Sequence, residues 1–184
     1  MKEVMKIGGK LAAICAIAAI ALGVVNAITE PIILAARAEK LRLALSELSA
    51  GLEIGEFIKT DNESSIIGYY PLSSGEKTEA YIINIIGDGY AGDLNLLTAI
   101  SNGGEVLSVV LMEDTETPGL GKEAENASYM EKFIGTGNGS IIPSSKSHLN
   151  AKDADSITGA SITFIGIGKA LNEAAGFVSQ LGGM

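Results

Sequence analysis

The sequence EAYIINIIGDGYAGDLNLLTAISNGGEVLSVVLM, residues 79–112, holds three apolar stretches separated by two short breaks. The stretches at 79–86, 93–100 and 105–112 are rich in Ile, Leu and Val, and each has the length of an ordinary β-strand. The breaks contain glycine, aspartate and asparagine, which favour tight turns. Because a tight turn reverses the chain, the segment predicts three consecutive strands of an antiparallel sheet.

Helices are predicted on the C-terminal side of these strands. Residues 164–181 carry apolar side chains at steps of three and four, as in a helix packed on a core; they are Phe164, Ile167, Leu171, Ala174, Val178 and Leu181. We expect a shorter helix at 123–133 and a loop at 135–147, and on the N-terminal side a short strand at 56–60 and a turn at 68–71. Together these elements predict an α+β domain with a mainly antiparallel sheet and flanking helices.

The N-terminal segment has a different composition. Residues 11–29 contain 19 consecutive uncharged residues, which as a helix would span about 28 Å, close to the hydrocarbon thickness of a bilayer. A signal peptide is the competing interpretation, because Val25-Asn26-Ala27 resembles a cleavage site, but the apolar run is longer than the roughly 7–15 residues of a typical signal peptide. We therefore expect a single transmembrane helix. Basic residues before it predict a cytoplasmic N-terminus; they are Lys2, Lys6 and Lys10.

Three parts of the chain follow from these patterns. Residues 1–29 are predicted to be a cytoplasmic N-terminus and transmembrane helix, 30–55 a helical stalk or connector, and 56–184 a globular domain on the outer face of the membrane. Pro31 is expected to break the helix or to begin a new one. The first part carries a net charge of +2 and the remainder −11.

Composition excludes several classes of function. A body with a net charge of −11 would repel nucleic acid, so no nucleic-acid partner is expected. The single cysteine, Cys15, rules out an intrachain disulfide or an iron–sulfur centre held by this chain alone, and we expect it to pack inside the membrane helix. The single histidine, His148, lies in a polar stretch and is interpreted as a solvated residue. We predict neither a catalytic acid–base residue nor a metal site.

Residues 155–163, with the sequence DSITGASIT, form the first of two motifs that can carry chemistry. Hydroxyl side chains surround the pair Gly159-Ala160 just before the predicted C-terminal helix. A structural interpretation is a loop with a helix cap, since Ser, Thr and Asp all favour helix N-termini. A functional interpretation uses the same physics, because small residues at a helix N-terminus let backbone N–H groups approach a phosphate.

Residues 116–121, with the sequence ETPGLG, form the second motif. Pro118-Gly119 is a turn dipeptide, so an ordinary turn after a strand is one interpretation. The other is a preformed binding loop, in which exposed N–H groups and the Thr117 hydroxyl bond a polar ring edge while Leu120 packs on an apolar face. This motif is weak when taken alone.

The whole set of features resembles the FMN-binding G subunits of the bacterial Rnf complex and the related C subunits of the sodium-pumping NADH:quinone reductase. Those proteins share one N-terminal transmembrane helix, a Gly-Tyr-x-Gly turn, a Glu-Thr-Pro-Gly-Leu-Gly loop, and a terminal box of the form Asp-x-x-Ser/Thr-Gly-Ala-Thr/Ser-x-Ser/Thr. The matching segments here are 11–29, 89–92, 116–121 and 155–163, in the same order. The short chain favours the Rnf member.

The resemblance implies a covalent cofactor and assigns residues to it. In the family, FMN is joined through its phosphate to a Thr or Ser hydroxyl of the box, at the position that is Ser161 in this chain. The family more often has Thr there. Supporting positions in the box would be Asp155, Thr158, Gly159, Ala160 and Thr163, with Thr163 near the phosphate and Asp155 as a recognition element for a flavin transferase or a metal-phosphate organiser. Lining the isoalloxazine ring would be Thr117, Gly119 and Leu120, with Glu116 close by.

The function implied by the resemblance is an electron relay. The protein would act within a membrane-bound complex, together with iron–sulfur and flavin subunits, that couples ferredoxin:NAD oxidoreduction to sodium or proton translocation. It would not be catalytic alone, and a flavin transferase would attach its FMN. Two alternatives stay open: a C-type subunit of a quinone reductase, and a membrane-tethered binding or assembly domain without covalent flavin.

Overall fold

The computed structural model describes residues 2–60 and 65–181, which form two compact units that divide after Arg42. The first element is a long helix, α1, at Lys2–Leu48. Its side chains from Val4 to Leu34 are mostly apolar and, apart from the partly buried Thr29, exposed. This is the one helix among the described residues that is long and apolar enough to cross a membrane.

Pro31 lies inside α1, so the break expected at this residue is wrong. Proline removes a single N–H donor and crowds the preceding turn. The helix loses one hydrogen bond at this point but does not end. The neighbouring sequence is rich in Ala, Leu and Ile. In an apolar environment such a segment has no other way to satisfy its backbone groups, so the helix continues through the proline.

The second unit is built on an antiparallel sheet. Its strands are β1 (Glu53–Ile54), β2 (Ile58–Lys59), β3 (Ile66–Ser74), β4 (Lys77–Asp88), β5 (Asp93–Ser101) and β6 (Val106–Glu113). The order is β1-β3-β4-β5-β6, with β2 also paired to β3. The three predicted strands and their tight turns are therefore confirmed as β4, β5 and β6.

The turn expected at 68–71 is wrong, because β3 runs through it. Gly68 is a strand residue opposite Asn84, and a side chain there would overlap the ring of Phe57. Pro71 faces the gap between the two short strands β1 and β2, where its carbonyl accepts a hydrogen bond from the Gly55 N–H at 2.8 Å. A register shift between Leu72 and Ser73 follows directly, and a missing strand N–H is tolerated at such an irregularity. Gly68 and Pro71 therefore allow close packing and a local irregularity of the sheet and do not reverse the chain.

The helices of this unit differ from the expected set. After β6 come a 3₁₀ turn at Gly121–Glu125 and a short helix α2 at Ala127–Met130, so the single helix expected at 123–133 is wrong. Asn126 separates the two elements with an extended backbone (φ −80°, ψ 132°). The structure then has a 3₁₀ turn at Lys146–His148, a helix α3 at Ala151–Ser156 that the sequence analysis did not predict, and a long helix α4.

Helix α4 spans Ser161–Leu181 and begins three residues before its predicted start. It packs on one face of the sheet around a cluster of buried apolar side chains. Phe164 anchors the N-terminal half of α4 by stacking on Phe133, with ring centroids 4.6 Å apart. A side chain at Gly166 would overlap the carbonyl of Asp88 at the end of β4. The N-terminus of α4 is thereby held beside the β4–β5 turn, and the α+β architecture is confirmed.

Candidate functional site

The box at 155–163 spans the end of α3, the turn at 157–160 and the first turn of α4. Its turn is closed by the Thr158 N–H, which donates to the Asp155 carbonyl at 3.0 Å, and by the Ala160 N–H, which donates to the Ile157 carbonyl at 3.0 Å. Gly159 has φ +96°, a conformation that costs other residues energy. A Cβ at Gly159 would lie 3.1 Å from Cδ2 of Leu120. The two sequence motifs therefore meet at this glycine.

The N-terminus of α4 presents first-turn backbone N–H groups that no side chain among residues 2–60 and 65–181 caps. Ala160 precedes the helix and has no polar side chain, so it cannot cap the first-turn N–H groups of residues 161–163, which lack intrahelical acceptors. The Ser161 hydroxyl donates to the Ile157 carbonyl at 3.3 Å, which leaves its oxygen lone pairs available. Thr163 is 1% exposed, and its hydroxyl forms no hydrogen bond within residues 2–60 and 65–181. Such an arrangement suits an anion.

Glu116 holds the loop of the second motif in place from inside the domain. It is 3% exposed, and its Oε1 accepts a hydrogen bond from the Tyr90 N–H at 2.6 Å and a longer one from the Ala91 N–H at 3.5 Å. Side chains at Gly89 or Gly121 would overlap the Glu116 carboxylate. Both glycines are therefore needed to let this carboxylate join the 89–92 turn to the 116–121 loop.

A cleft of about 380 Å³ opens where these segments meet, a volume within the range of small-molecule sites. It is lined by Tyr90, Glu116, Thr117, Leu120, Gly121, Gly159, Ser161, Ile162 and Thr163. Three of these side chains, Tyr90, Leu120 and Ile162, are substantially exposed. They give the cleft an apolar rim, while hydroxyls and helix donors lie at the end formed by α4.

The structure brings six of the ten predicted site residues to the wall of the cleft. These are Glu116, Thr117, Leu120, Gly159, Ser161 and Thr163. The other four do not line it: Gly119 lies in the turn of the loop, Ala160 is buried just before α4, Thr158 is exposed in the turn after α3, and Asp155 is exposed on α3 itself. Sequence spacing alone could not separate lining residues from supporting ones.

Tyr129, for which the sequence pattern indicates no role, supports the cleft from behind. The residue is 3% exposed, and its hydroxyl donates to the Ala160 carbonyl at 2.8 Å. Burial, reinforced by the negative charge of Glu116, raises the pKa of the Tyr129 hydroxyl above its usual value, so the group stays a donor. Only the fold reveals this contact, because residues 129 and 160 are distant in sequence.

Lys146 is a second residue without a sequence-based role. Its ammonium donates to the Thr158 hydroxyl at 3.2 Å, which sets a positive charge beside the box. Neighbouring His148 is exposed, and its Nδ1 accepts a hydrogen bond from the Ser144 N–H at 3.3 Å. Within the described part of the chain, no group of three or more His, Cys, Asp or Glu side chains could hold a metal ion. The cleft therefore presents helix donors, hydroxyls, a nearby cation and apolar walls.

Comparison with known proteins gives consistent matches. The family model described as FMN-binding domain matches residues 89–176, a range that includes both motifs. The G subunit of a proton-translocating ferredoxin:NAD(+) oxidoreductase complex from Clostridium ljungdahlii is 27% identical over 92% of this chain and 88% of its own length. The G subunits of ion-translocating oxidoreductase complexes are 36% identical in Shewanella baltica, over 55% of this chain, and 32% identical in Vibrio parahaemolyticus, over 61%.

The chain spans 49% and 54% of the length of the Shewanella and Vibrio proteins, about half in each case. The Clostridium protein is matched almost from end to end. The resemblance to G-type subunits predicted from the sequence is confirmed, as is the presence of an FMN-binding domain.

Proposed function

We propose that this chain, a G-type subunit with an FMN-binding domain, carries electrons through an FMN that is joined by a phosphoester to Ser161 in an Rnf-type membrane complex. One observation carries the proposal: the hydroxyl of Ser161, at an uncapped helix N-terminus, shares a single cleft with the loop at 116–121. FMN has a phosphate and a flat apolar ring, so its site needs hydrogen-bond donors at one end and apolar surface at the other.

The residues present fit the cofactor. The first-turn N–H groups of α4 and the Thr163 hydroxyl would bond the phosphate oxygens. Tyr90, Leu120 and Ile162 supply apolar surface for the ring, and the exposed Thr117 hydroxyl is available to its polar edge. Glu116 would act indirectly by keeping the two loops in place. When bound, FMN supplies one- and two-electron transfer.

Attachment requires an activated donor, because FMN itself would have to expel water. A flavin dinucleotide such as FAD meets this need in a transferase-catalysed reaction. The Ser161 oxygen would form a bond to the flavin-side phosphorus while the pyrophosphate P–O bond would break. The nucleoside monophosphate would leave, and the serine proton would pass to water. Asp155 is exposed on α3 and does not line the cleft, which favours a role in transferase recognition over one as a metal-phosphate organiser.

The charge around the cleft bears on the flavin potential. The chain from residue 30 onwards carries a net charge of −11, and this disfavours a reduced anionic flavin and lowers its potential. The effect is modest at an exposed site, because charges are screened over about 10 Å in ordinary buffers. Lys146 opposes it locally at the phosphate end.

The proposed topology follows from α1. Its lysines at positions 2, 6 and 10 remain cytoplasmic, the helix crosses the cell membrane once, and the sheet domain lies on the outer face. Covalent attachment then keeps the cofactor where no replacement FMN is available. The complex as a whole would couple ferredoxin:NAD oxidoreduction to sodium or proton translocation, with the cytoplasmic chemistry in its other subunits.

The proposal is tested by denaturing gel electrophoresis under ultraviolet light, after expression in a host that has a flavin transferase. The wild-type chain should give a fluorescent band, and Ser161→Ala should abolish it. Ser156→Ala is the matched control, because Ser156 is exposed and, among the residues that the structure describes, its hydroxyl donates only to the Asp153 carbonyl, at 2.8 Å. A dark wild-type band refutes covalent attachment and leaves a tethered binding or assembly domain.

A further inference from the structure

The peptide unit between Ala160 and Ser161 is held from its carbonyl side. That carbonyl accepts two hydrogen bonds, one from the Tyr129 hydroxyl at 2.8 Å and one from the Phe164 N–H at 2.9 Å. A trans peptide is planar, so its N–H points away from its C=O. Fixing the Ala160 carbonyl therefore also fixes the direction of the Ser161 N–H, which belongs to a residue that lines the cleft.

The Tyr129 hydroxyl is dispensable for filling the core. Its ring packs edge-on against Phe164, with centroids 5.8 Å apart, and lies 5.5 Å from the Lys132 ammonium. A phenylalanine would keep these ring contacts. The Ala160 carbonyl would still be satisfied by Phe164, the first bond of α4. What the hydroxyl adds is a second, directional bond to the peptide that carries Ser161.

A hydrogen bond at the carbonyl also strengthens the donor at the other end of the same peptide, because linked hydrogen bonds polarise one another. Burial and the negative charge of the Glu116 carboxylate raise the pKa of the Tyr129 hydroxyl, so this group stays protonated as the donor of the bond. The bond from Tyr129 to the Ala160 carbonyl lies among buried groups, since Tyr129 and Ala160 are each about 3% exposed.

We propose that Tyr129 is a positioning residue for flavin attachment: its hydroxyl orients and polarises the Ala160–Ser161 peptide so that the Ser161 N–H meets the incoming phosphate beside the serine hydroxyl. This inference rests on the proposed phosphoester at Ser161. Tyr129 does not contact the reacting atoms and acts through the peptide.

The test compares Tyr129→Phe with Tyr69→Phe in the full-length chain in detergent micelles. Tyr69 is a matched control, because its ring packs on the same core and its hydroxyl has no hydrogen bond within the described ranges. With purified transferase and FAD, Tyr129→Phe should slow flavin transfer roughly tenfold at saturating protein, as expected for the loss of one hydrogen bond that acts on the transition state. Tyr69→Phe should transfer at the wild-type rate.

A second readout needs no flavin. In the flavin-free protein, Tyr129→Phe should shift the amide ¹H and ¹⁵N resonances of Ser161 and speed exchange of its N–H with solvent, whereas Tyr69→Phe should leave both unchanged. Equal transfer rates together with an unchanged Ser161 amide overturn the inference. A wild-type chain that gains no flavin refutes the proposed function instead, whatever the amide shows.

If Tyr129→Phe fails to fold, a second variant still tests the role of the Tyr129 hydroxyl. Incorporating 3-fluorotyrosine at position 129 keeps the ring and makes the hydroxyl a stronger donor. The Ser161 amide resonances should then shift in the direction opposite to the shift that removal of this hydrogen bond causes. Flavin transfer should be at least as fast as in wild type. An unshifted amide in a folded fluorotyrosine protein contradicts the inference.

Discussion

Replacing Glu116 tests the arrangement of the two loops most sharply. The carboxylate is buried, its Oε1 accepts the Tyr90 N–H at 2.6 Å, and its own backbone N–H donates to Oδ1 of Asp114 at 2.8 Å. Glu116→Ala removes the acceptor and leaves the Tyr90 N–H without a partner. Glu116→Gln keeps an acceptor oxygen of similar shape but removes its charge. The two variants therefore separate the charge from the hydrogen bond.

The structure allows the size of each effect to be estimated. A hydrogen bond to a charged group contributes about 1.5–3 kcal/mol, and an unpaired buried N–H adds a further penalty, so Glu116→Ala should lower the free energy of unfolding by about 3 kcal/mol. Glu116→Gln exchanges a charged acceptor for a neutral one and should cost about 1 kcal/mol. In a domain of this size these correspond to losses in Tm of roughly 6–12 °C and 2–4 °C.

The assay is thermal unfolding of the full chain in detergent, followed by near-ultraviolet circular dichroism. The matched controls are Glu131→Ala and Glu131→Gln, because Glu131 is exposed and its side chain makes no hydrogen bond within the described residues. Both controls should stay within about 0.5 kcal/mol of wild type. The reasoning is refuted if Glu116→Ala is as stable as Glu131→Ala, or if Glu116→Gln is as damaging as Glu116→Ala.

Three further outcomes are expected. Gly159→Ala forces a side chain into φ +96°, so it should lower the unfolding free energy by about 1–2 kcal/mol and reduce flavin loading. Gly176→Ala, in open space on α4, should raise the unfolding free energy by up to about 1 kcal/mol. Equal melting temperatures of the two variants would contradict this. Lys146→Gln should slow flavin transfer at low salt more than at high salt, and Lys152→Gln should not; identical salt profiles would argue against a phosphate-side cation. The pKa of Tyr129 is raised in the folded chain, so the unfolded chain loses the hydroxyl proton first. The free energy of unfolding, measured by denaturant titration, should therefore fall as the pH rises above about 10. An identical decline in Tyr129→Phe would contradict this expectation.

Local patterns were sufficient for much of the fold. The strands β4, β5 and β6 follow from short apolar stretches separated by glycine-containing turns, and α4 follows from its apolar stripe. Both signals are local, since strand and helix periodicity depend on neighbouring residues. Residues 155–163 were expected just before a helix; in the structure they start at the end of α3 and run into the first turn of α4.

Errors arose where a residue's environment overrides its usual tendency. Gly68 is a glycine because the ring of Phe57 covers it, not because the chain turns. Pro31 stays helical in an apolar segment, and Asn126 interrupts a pattern that otherwise favours helix. Each depends on what packs around the residue, which a single sequence does not display.

The candidate site divides in the same way. The residues of its two motifs could be named from the sequence because their types suit a phosphate and a ring. The contacts that hold the motifs together, from Glu116 to the 89–92 turn and from Tyr129 to Ala160, join segments far apart in the chain. These contacts depend on the tertiary fold, and neither sequence periodicity nor a motif predicts them.

The most direct test of the central proposal is tandem mass spectrometry of proteolytic peptides from chain expressed with a flavin transferase. The account predicts that the peptide containing Ser161 carries the added mass of one FMN less one water, and that fragmentation assigns this mass to Ser161 rather than to Thr158 or Thr163. An unmodified Ser161 peptide, or an FMN adduct on a neighbouring hydroxyl, would contradict it.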